Sequence, residues 1–166
     1  MSTRIAKYVI DTCSLVELRR TYPLDVFPNV WEAIGHLADA GVLISSSEVF
    51  DELEASEVEG DDVLMWACNH ENMFAPLDGF IQQKAVAILE IFENLIDLKK
   101  KKSSADPFVI ATAMMNSCVV VSEETATNNS AESGLKVKIP DVCKYYNMPC
   151  ISLLEMLRAE GIKFST

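Results

Sequence analysis

Acidic side chains stand at four separate places in this chain where an acid could do more than solvate a surface. Asp11 closes the apolar segment IAKYVI, Glu52 lies in SEVFDELEAS, Asp106 precedes Pro107 in SSADPFVIATAMM, and Glu123 and Glu124 follow CVVVS. Carboxylates drawn to one place repel each other unless a hard cation sits among them, and Mg²⁺ or Mn²⁺ prefers such oxygen ligands. The chemistry that follows is activation of water and neutralisation of charge during phosphodiester cleavage. Each acid alone has a plainer explanation. Asp11 can form an Asx-turn, Asp106 can cap a helix before Pro107, and Glu48 can close a capping box. Glu52, one turn beyond Glu48, is an ordinary exposed helix residue, and the pair Glu123 and Glu124 is ordinary surface. Convergence of the four is therefore the argument, and it depends on the elements that carry them.

Those elements alternate. IAKYVI reads as a strand leading into SLVELRR, where Ser14 and Glu17 have capping-box spacing. NVWEAIGHLADAG reads as a helix capped by Asn29 and stopped by Gly41, and VLIS as a strand feeding a helix capped by Ser45 with Glu48. DDVLMWACNH is a short helix, GFIQQKAVAILEIFENLIDLKK a long amphipathic helix closed by lysines, and DPFVIATAMM a helix that Asp106 caps. CVVVS is a buried strand, KVKIP a small strand or extended piece, PDVCKYYN a short helix, and CISLLEMLRAEGI a strand running into a closing helix. Short apolar strands separated by helices predict an α/β fold whose parallel sheet is covered on both faces, with the site at the strands' carboxyl ends. The length of 166 residues suits one domain, residues 1–166.

Composition narrows the partners. Fourteen Lys and Arg against 25 Asp and Glu leave a net charge of −11, which opposes a general nucleic-acid-coating role but not an enzyme with a bound cation. No apolar run is long enough to cross a bilayer, so no membrane is expected and a cytoplasmic location is. Five cysteines without a CxxC read as reduced thiols, Cys13 being the one near the acids. His36 and His70 read as structural or surface residues. The basic run LKKKK offers Lys100 and Lys101 as phosphate contacts beside Asp106, with Arg19 and Arg20 as possible help; its plain reading is a solvated helix end.

YVIDTCSLVEL, ISSSEVFDELE and ADPFVIATAMMNSCVVVSEE, in that order, resemble the motif set of PIN-domain ribonucleases, the fold of VapC-type toxins. The ending KIPDVCKYYNMPCISLLEMLRAEGIKF resembles a little-characterised bacterial PIN-like subfamily. The resemblance implies a three-layer α/β/α sandwich, Mg²⁺- or Mn²⁺-dependent RNA hydrolysis, and Asp11, Glu52, Asp106 and Glu124 as the metal-binding, catalytic acids. It makes Glu124 the fourth acid, where the family usually has Asp, and Glu123 its solvated neighbour. Ser14 and Thr12 match hydroxyl residues beside the first Asp, Ser14 as a substrate contact. RNA is the implied substrate, with a cognate antitoxin and a homodimer as possible partners. The competing reading is a PIN-fold protein-binding module with little or no activity. A phosphotransfer domain would also place an Asp after the first strand, but D-T-C-S lacks its second aspartate. Asp141 is left with no role beyond capping a short helix.

Overall fold

The computed structural model describes residues 5–56, 60–99 and 104–165. Five strands, β1 (Tyr8–Ile10), β2 (Leu43–Ser46), β3 (Phe74–Ala75), β4 (Val119–Val121) and β5 (Cys150–Ile151), form one sheet in the order β3-β2-β1-β4-β5. Every pairing is parallel. Helices α1 (Thr12–Thr21), α2 (Pro28–Asp39), α3 (Ser47–Ala55), α4 (Asp62–Asn69), α5 (Gly79–Ile91), α6 (Asp106–Asn116), α7 (Ile139–Tyr145) and α8 (Leu153–Ala159) flank it, giving the expected three-layer α/β/α sandwich. The chain builds outward from β1 through β2 to β3, then returns to β1's other side for β4 and β5. The order therefore reverses between β1 and β4, which in open parallel sheets is where a crevice forms at the carboxyl ends.

Burial explains the strands' brevity and their composition. All three residues of β1 are buried, as are Leu43, Val120 and Val121, because α-helices cover the sheet. Helix α6 packs on β1, β2 and β4, and α5 lies against α6. At ~1.5–3 kcal/mol for each large aliphatic side chain taken out of water, this single buried cluster is the main favourable contribution.

Several helix starts differ from the sequence-based expectation, and for α1 and α3 the end of a strand decides. Helix α1 is capped by Asp11, not Ser14: the Asp11 N–H completes the sheet by donating to Val121 O (3.1 Å), and its Oδ1 accepts from Ser14 N (2.8 Å). Glu17, freed from a capping box, accepts from Thr21 Oγ1. Ser46 rather than Ser45 caps α3, since Ser45 is fully buried and donates to Ile10 O at 2.6 Å. Phe27 precedes α2, with Pro28 rather than Asn29 opening it, because proline's fixed φ suits a first helical residue. Gly41, at φ +71°, ends that segment as expected.

Helix α5 stops at Ile91, well short of the lysines, and a short 3-10 turn, Glu93–Leu95, follows. The cause is tertiary: Phe92 and Leu95 turn inward to 3% and 2% exposure, Phe92 meeting Tyr145 edge-on at 5.0 Å. Helix α6 begins with Asp106 as its first residue and Ala105 in the capping position, so Asp106 is not an N-cap. Residues 135–138 form no strand, and β3 is an edge strand with no counterpart in the expected elements. Among the described residues, no helix is long and apolar enough to cross a membrane.

Candidate functional site

Strand β1 delivers Asp11 to the reversal point between β1 and β4, and β4 delivers Ser122, Glu123 and Glu124 beside it. Asp11 is only 2% exposed, and both its oxygens are held. Ser14 N donates to Oδ1, and the Ser122 hydroxyl donates to Oδ2 at 2.6 Å. Burial pushes its pKa up to about 6; hydrogen bonds from Ser122 and Ser14 pull it down, and the charge of Glu124 adds to the rise. The fixed orientation comes from backbone and a neighbouring strand, so the carboxylate presents its remaining lone pairs in one direction.

Asp106 enters from the start of α6. Its pKa is pushed up to about 7, first by burial and then by the charges of Glu124, Asp11 and Glu52, with Lys136 opposing. Three acids from three other segments thus lie near enough to act on it. Its carboxylate accepts no hydrogen bond from any described residue, unlike those of Asp11, Glu52 and Glu124. A poorly solvated carboxylate without donors is a costly group to ionise.

Glu52 spans the gap between helices. Its Oε2 accepts from Thr12 Oγ1 (2.5 Å) and its Oε1 from Ala105 N (2.8 Å), which ties the first residue of α1 to the residue before α6. It thereby fixes the spacing of Asp11 and Asp106. Glu124 uses Oε2 to accept from Ile139 N (3.0 Å) at the start of α7, and its own N–H donates to the Ser122 hydroxyl oxygen at 3.2 Å. Glu123 is not merely a solvated neighbour: its Oε1 accepts from Leu153 N (2.6 Å) at the start of α8. The two adjacent glutamates reach in different directions, each to the first residue of a different helix.

The structure brings together Asp11, Glu52, Asp106 and Glu124, and moves other expected residues out. Ser14 is fully buried and its hydroxyl donates to Val121 O (3.2 Å), so it ties α1 to β4 and cannot meet substrate there. Lys100 and Lys101 lie outside the described residues. Arg19 is paired with Asp61 (2.9 Å) and Arg20 with Glu17 (3.6 Å), each committed to a local acid. Cys13 is exposed but stays a thiol: loss of solvation around its sulfur and the charges of Asp11, Glu124, Glu123 and Glu17 push its pKa up to about 12.

Two contributors carry no role of their own in the sequence-based expectation. Ser122 anchors both Asp11 and Glu124, and the signal was available, since a hydroxyl at a strand tip two residues before an acid can bond the neighbouring strand's acid. Lys136, the cation that acts on Asp106, sits in an irregular loop with no pattern to mark it.

The donors match a hard divalent cation in chemistry: four carboxylates, one without hydrogen-bond donors from the described residues. Among the described residues, however, no three His, Cys, Asp or Glu side chains are drawn together tightly enough to cage a metal ion. Mg²⁺ needs no such cage, since it keeps several waters and binds through one or two carboxylates. Asp106 suits direct contact. Glu124, with one oxygen engaged, and Asp11 and Glu52, with both engaged, suit contact through water.

No curated protein matches the chain. A family model described as "Domain of unknown function (DUF4411)" matches residues 8–164, almost the entire sequence, and the chain therefore belongs to that family.

Proposed function

We propose that this protein is a Mg²⁺- or Mn²⁺-dependent endoribonuclease of the PIN type, acting in the cytoplasm. The observation that carries the reading is the convergence of Asp11, Glu52, Asp106 and Glu124 at the reversal point of a parallel sheet, with Asp106 held beside three like charges. Catalysts tolerate such a cluster where it does work, and a purely structural role gives no reason to leave Asp106 without a donor among the described residues. The motif resemblance supplies the reaction.

A bound cation would supply an acidified water and a partner for the developing charge on phosphorus. In the hydrolysis, a water oxygen bonds to phosphorus, the bond to the leaving ribose oxygen breaks, and the water's protons pass to solvent and the leaving oxygen. The chain's own part is positional. Asp11 and Asp106 would hold the cation; Ser122 and the Ser14 N–H orient Asp11; Glu52 maintains the distance between the starts of α1 and α6, where both acids stand. Lys136 reduces the repulsion that four carboxylates offer to an RNA phosphate. The resemblance to VapC-type toxins adds a cognate antitoxin and a homodimer as partners to test.

Single-stranded RNA incubated with the protein and Mn²⁺ should be cut. Asp106→Asn or Asp11→Asn should abolish cutting while the chain remains folded, and full activity in either variant would sink the assignment. A second reading has its own support: both oxygens of Asp11 and Glu52 are already engaged, and no three ligands among the described residues form a cage. On that reading the fold is a protein-binding module. Millimolar Mn²⁺ should then leave its melting temperature unchanged, whereas a metal site occupied at a hundred times its Kd adds about 2.7 kcal/mol.

A further inference from the structure

We propose that the cavity between the 128–132 loop and α7 is a subsite for one unstacked nucleobase of single-stranded RNA, with Tyr145 as its stacking platform. The proposal rests on the ribonuclease reading and adds how the substrate is held. The cavity measures about 370 Å³, and its lining includes Phe92, Asn128, Asn129, Glu132, Lys144 and Tyr145. Tyr145 is 58% exposed, yet its ring is fixed by two neighbours: Phe92 at 5.0 Å and 87°, and Tyr146 at 4.9 Å and 82°. An exposed aromatic held in place from beneath loses little freedom when a base stacks on it, and single-stranded RNA is bound largely through such stacking.

The opposite wall is built to be rigid. Asp141, 8% exposed, accepts from Thr127 N, Thr127 Oγ1, Asn128 N and Lys138 N at 2.7–3.2 Å. Burial would raise its pKa, but the Thr127 hydroxyl and the backbone donors outweigh burial and hold it below the usual carboxylate value. These bonds keep Asn128 at φ +60°, a left-handed conformation that a non-glycine residue adopts only where something holds it. Asn129 is pinned through Nδ2 to Lys136 O at 2.8 Å. The polar groups facing the cavity are thus preset, which lowers the cost of binding.

Charge selects a base over backbone inside the cavity. Glu132 takes part in no hydrogen bond or ion pair among the described residues; its carboxylate repels phosphate and accepts N–H donors. Guanine presents two such donors side by side, a match for a carboxylate, while Lys144 at the same cavity offers charge to the adjoining phosphate. The location fits one strand serving both sites. Lys136, whose charge reaches Asp106, ends the same loop and lines a cleft of about 240 Å³ with Asn94, Ile96 and Asp97. Phe92 and Asn94, two residues apart, therefore belong one to each hollow.

The test is anisotropy of labelled single-stranded RNA decamers, guanine-containing or all-uridine, binding the full chain in EDTA, alongside a cleavage assay of the wild type in Mn²⁺. Tyr145→Ala should weaken binding of the guanine-containing decamer roughly 5- to 150-fold, and Tyr145→Phe should restore it. Glu132→Gln should reduce the preference for that decamer over all-uridine. Circular dichroism confirms that these exposed-site variants fold. Equal affinity of Tyr145→Ala and wild type overturns the subsite, even if the wild type cuts RNA. Tyr145-dependent binding without cutting upholds the subsite and overturns the nuclease; no binding and no cutting overturns both.

Discussion

Replacing Asp106 with Asn tests the acidic cluster independently of catalysis. In the metal-free fold the Asp106 pKa lies at about 7, against 3.8 for the unreacted group in a disordered chain. The fold therefore favours the protonated carboxyl. Its stabilising contribution is complete below about pH 3.8 and is lost as pH rises through about 7. Integrating between the two values gives a loss of roughly 1.7 kcal/mol by pH 5 and roughly 4 kcal/mol by pH 8. Asp11, with its pKa raised to about 6, changes in the same direction. Asparagine carries no charge at either pH and, since no described residue donates to Asp106, forfeits no hydrogen bond from one. In EDTA, Asp106→Asn should be more stable than the parent, with an advantage that widens by roughly 2–3 kcal/mol between pH 5 and pH 8. Urea unfolding followed by circular dichroism at the two pH values would show this as a midpoint difference growing by about 1 M. An advantage that is the same at both pH values would mean that Asp106 does not carry its charge in a poorly solvated place beside three acids. The case for a metal there would then collapse.

Other substitutions probe the supports. Ser122→Ala removes the donor to Asp11 Oδ2 and should cost ~1–3 kcal/mol in urea unfolding at pH 7, while Asp11 becomes still harder to ionise. Asp141→Ala frees Thr127, Asn128 and Lys138 from their shared acceptor and should cost ~3 kcal/mol at neutral pH. Because the Asp141 pKa is held low, the parent's advantage is present above pH 3.8 and should fade as pH falls through the folded value, which acid titrations of both chains would reveal. Thr112 is fully buried in α6, and its hydroxyl has no partner among the described residues. Thr112→Val keeps the shape and should raise stability by ~1 kcal/mol, read from the urea midpoint.

Much of the fold was legible because parallel sheets leave a plain mark: short apolar runs that stop at a polar residue, each followed by a helical pattern. Asp11, Glu52, Asp106 and the pair Glu123 and Glu124 could be placed at one edge by that rule, and only the motif resemblance chose Glu124 from the pair. Capping positions were misplaced at Ser14 and Ser45 because strand pairing settles them; the Asp11 N–H is claimed by Val121 O from 110 residues away. The end of α5 was illegible because its cause, Phe92 turning under Tyr145, lies in the tertiary structure. The separate tasks of Glu123 and Glu124 could not be read locally either, since each finds its donor at a helix that begins far along the chain.

The bond from Ser122 to Asp11 joins residues 111 positions apart, and β1 gains β4 as a partner only through that later segment. During synthesis at ~5–20 residues per second, β1 and β2 can pair several seconds before β4 exists. Until then one flank of β1 is an open edge, and Asp11 has neither its serine nor its fellow acids Asp106 and Glu124. Contacts of this range also close slowly in refolding. A nascent or truncated chain would therefore hold a half-built sheet with no assembled acidic centre, so that on the nuclease reading the ability to cut would arise late, as a property of the nearly finished polypeptide.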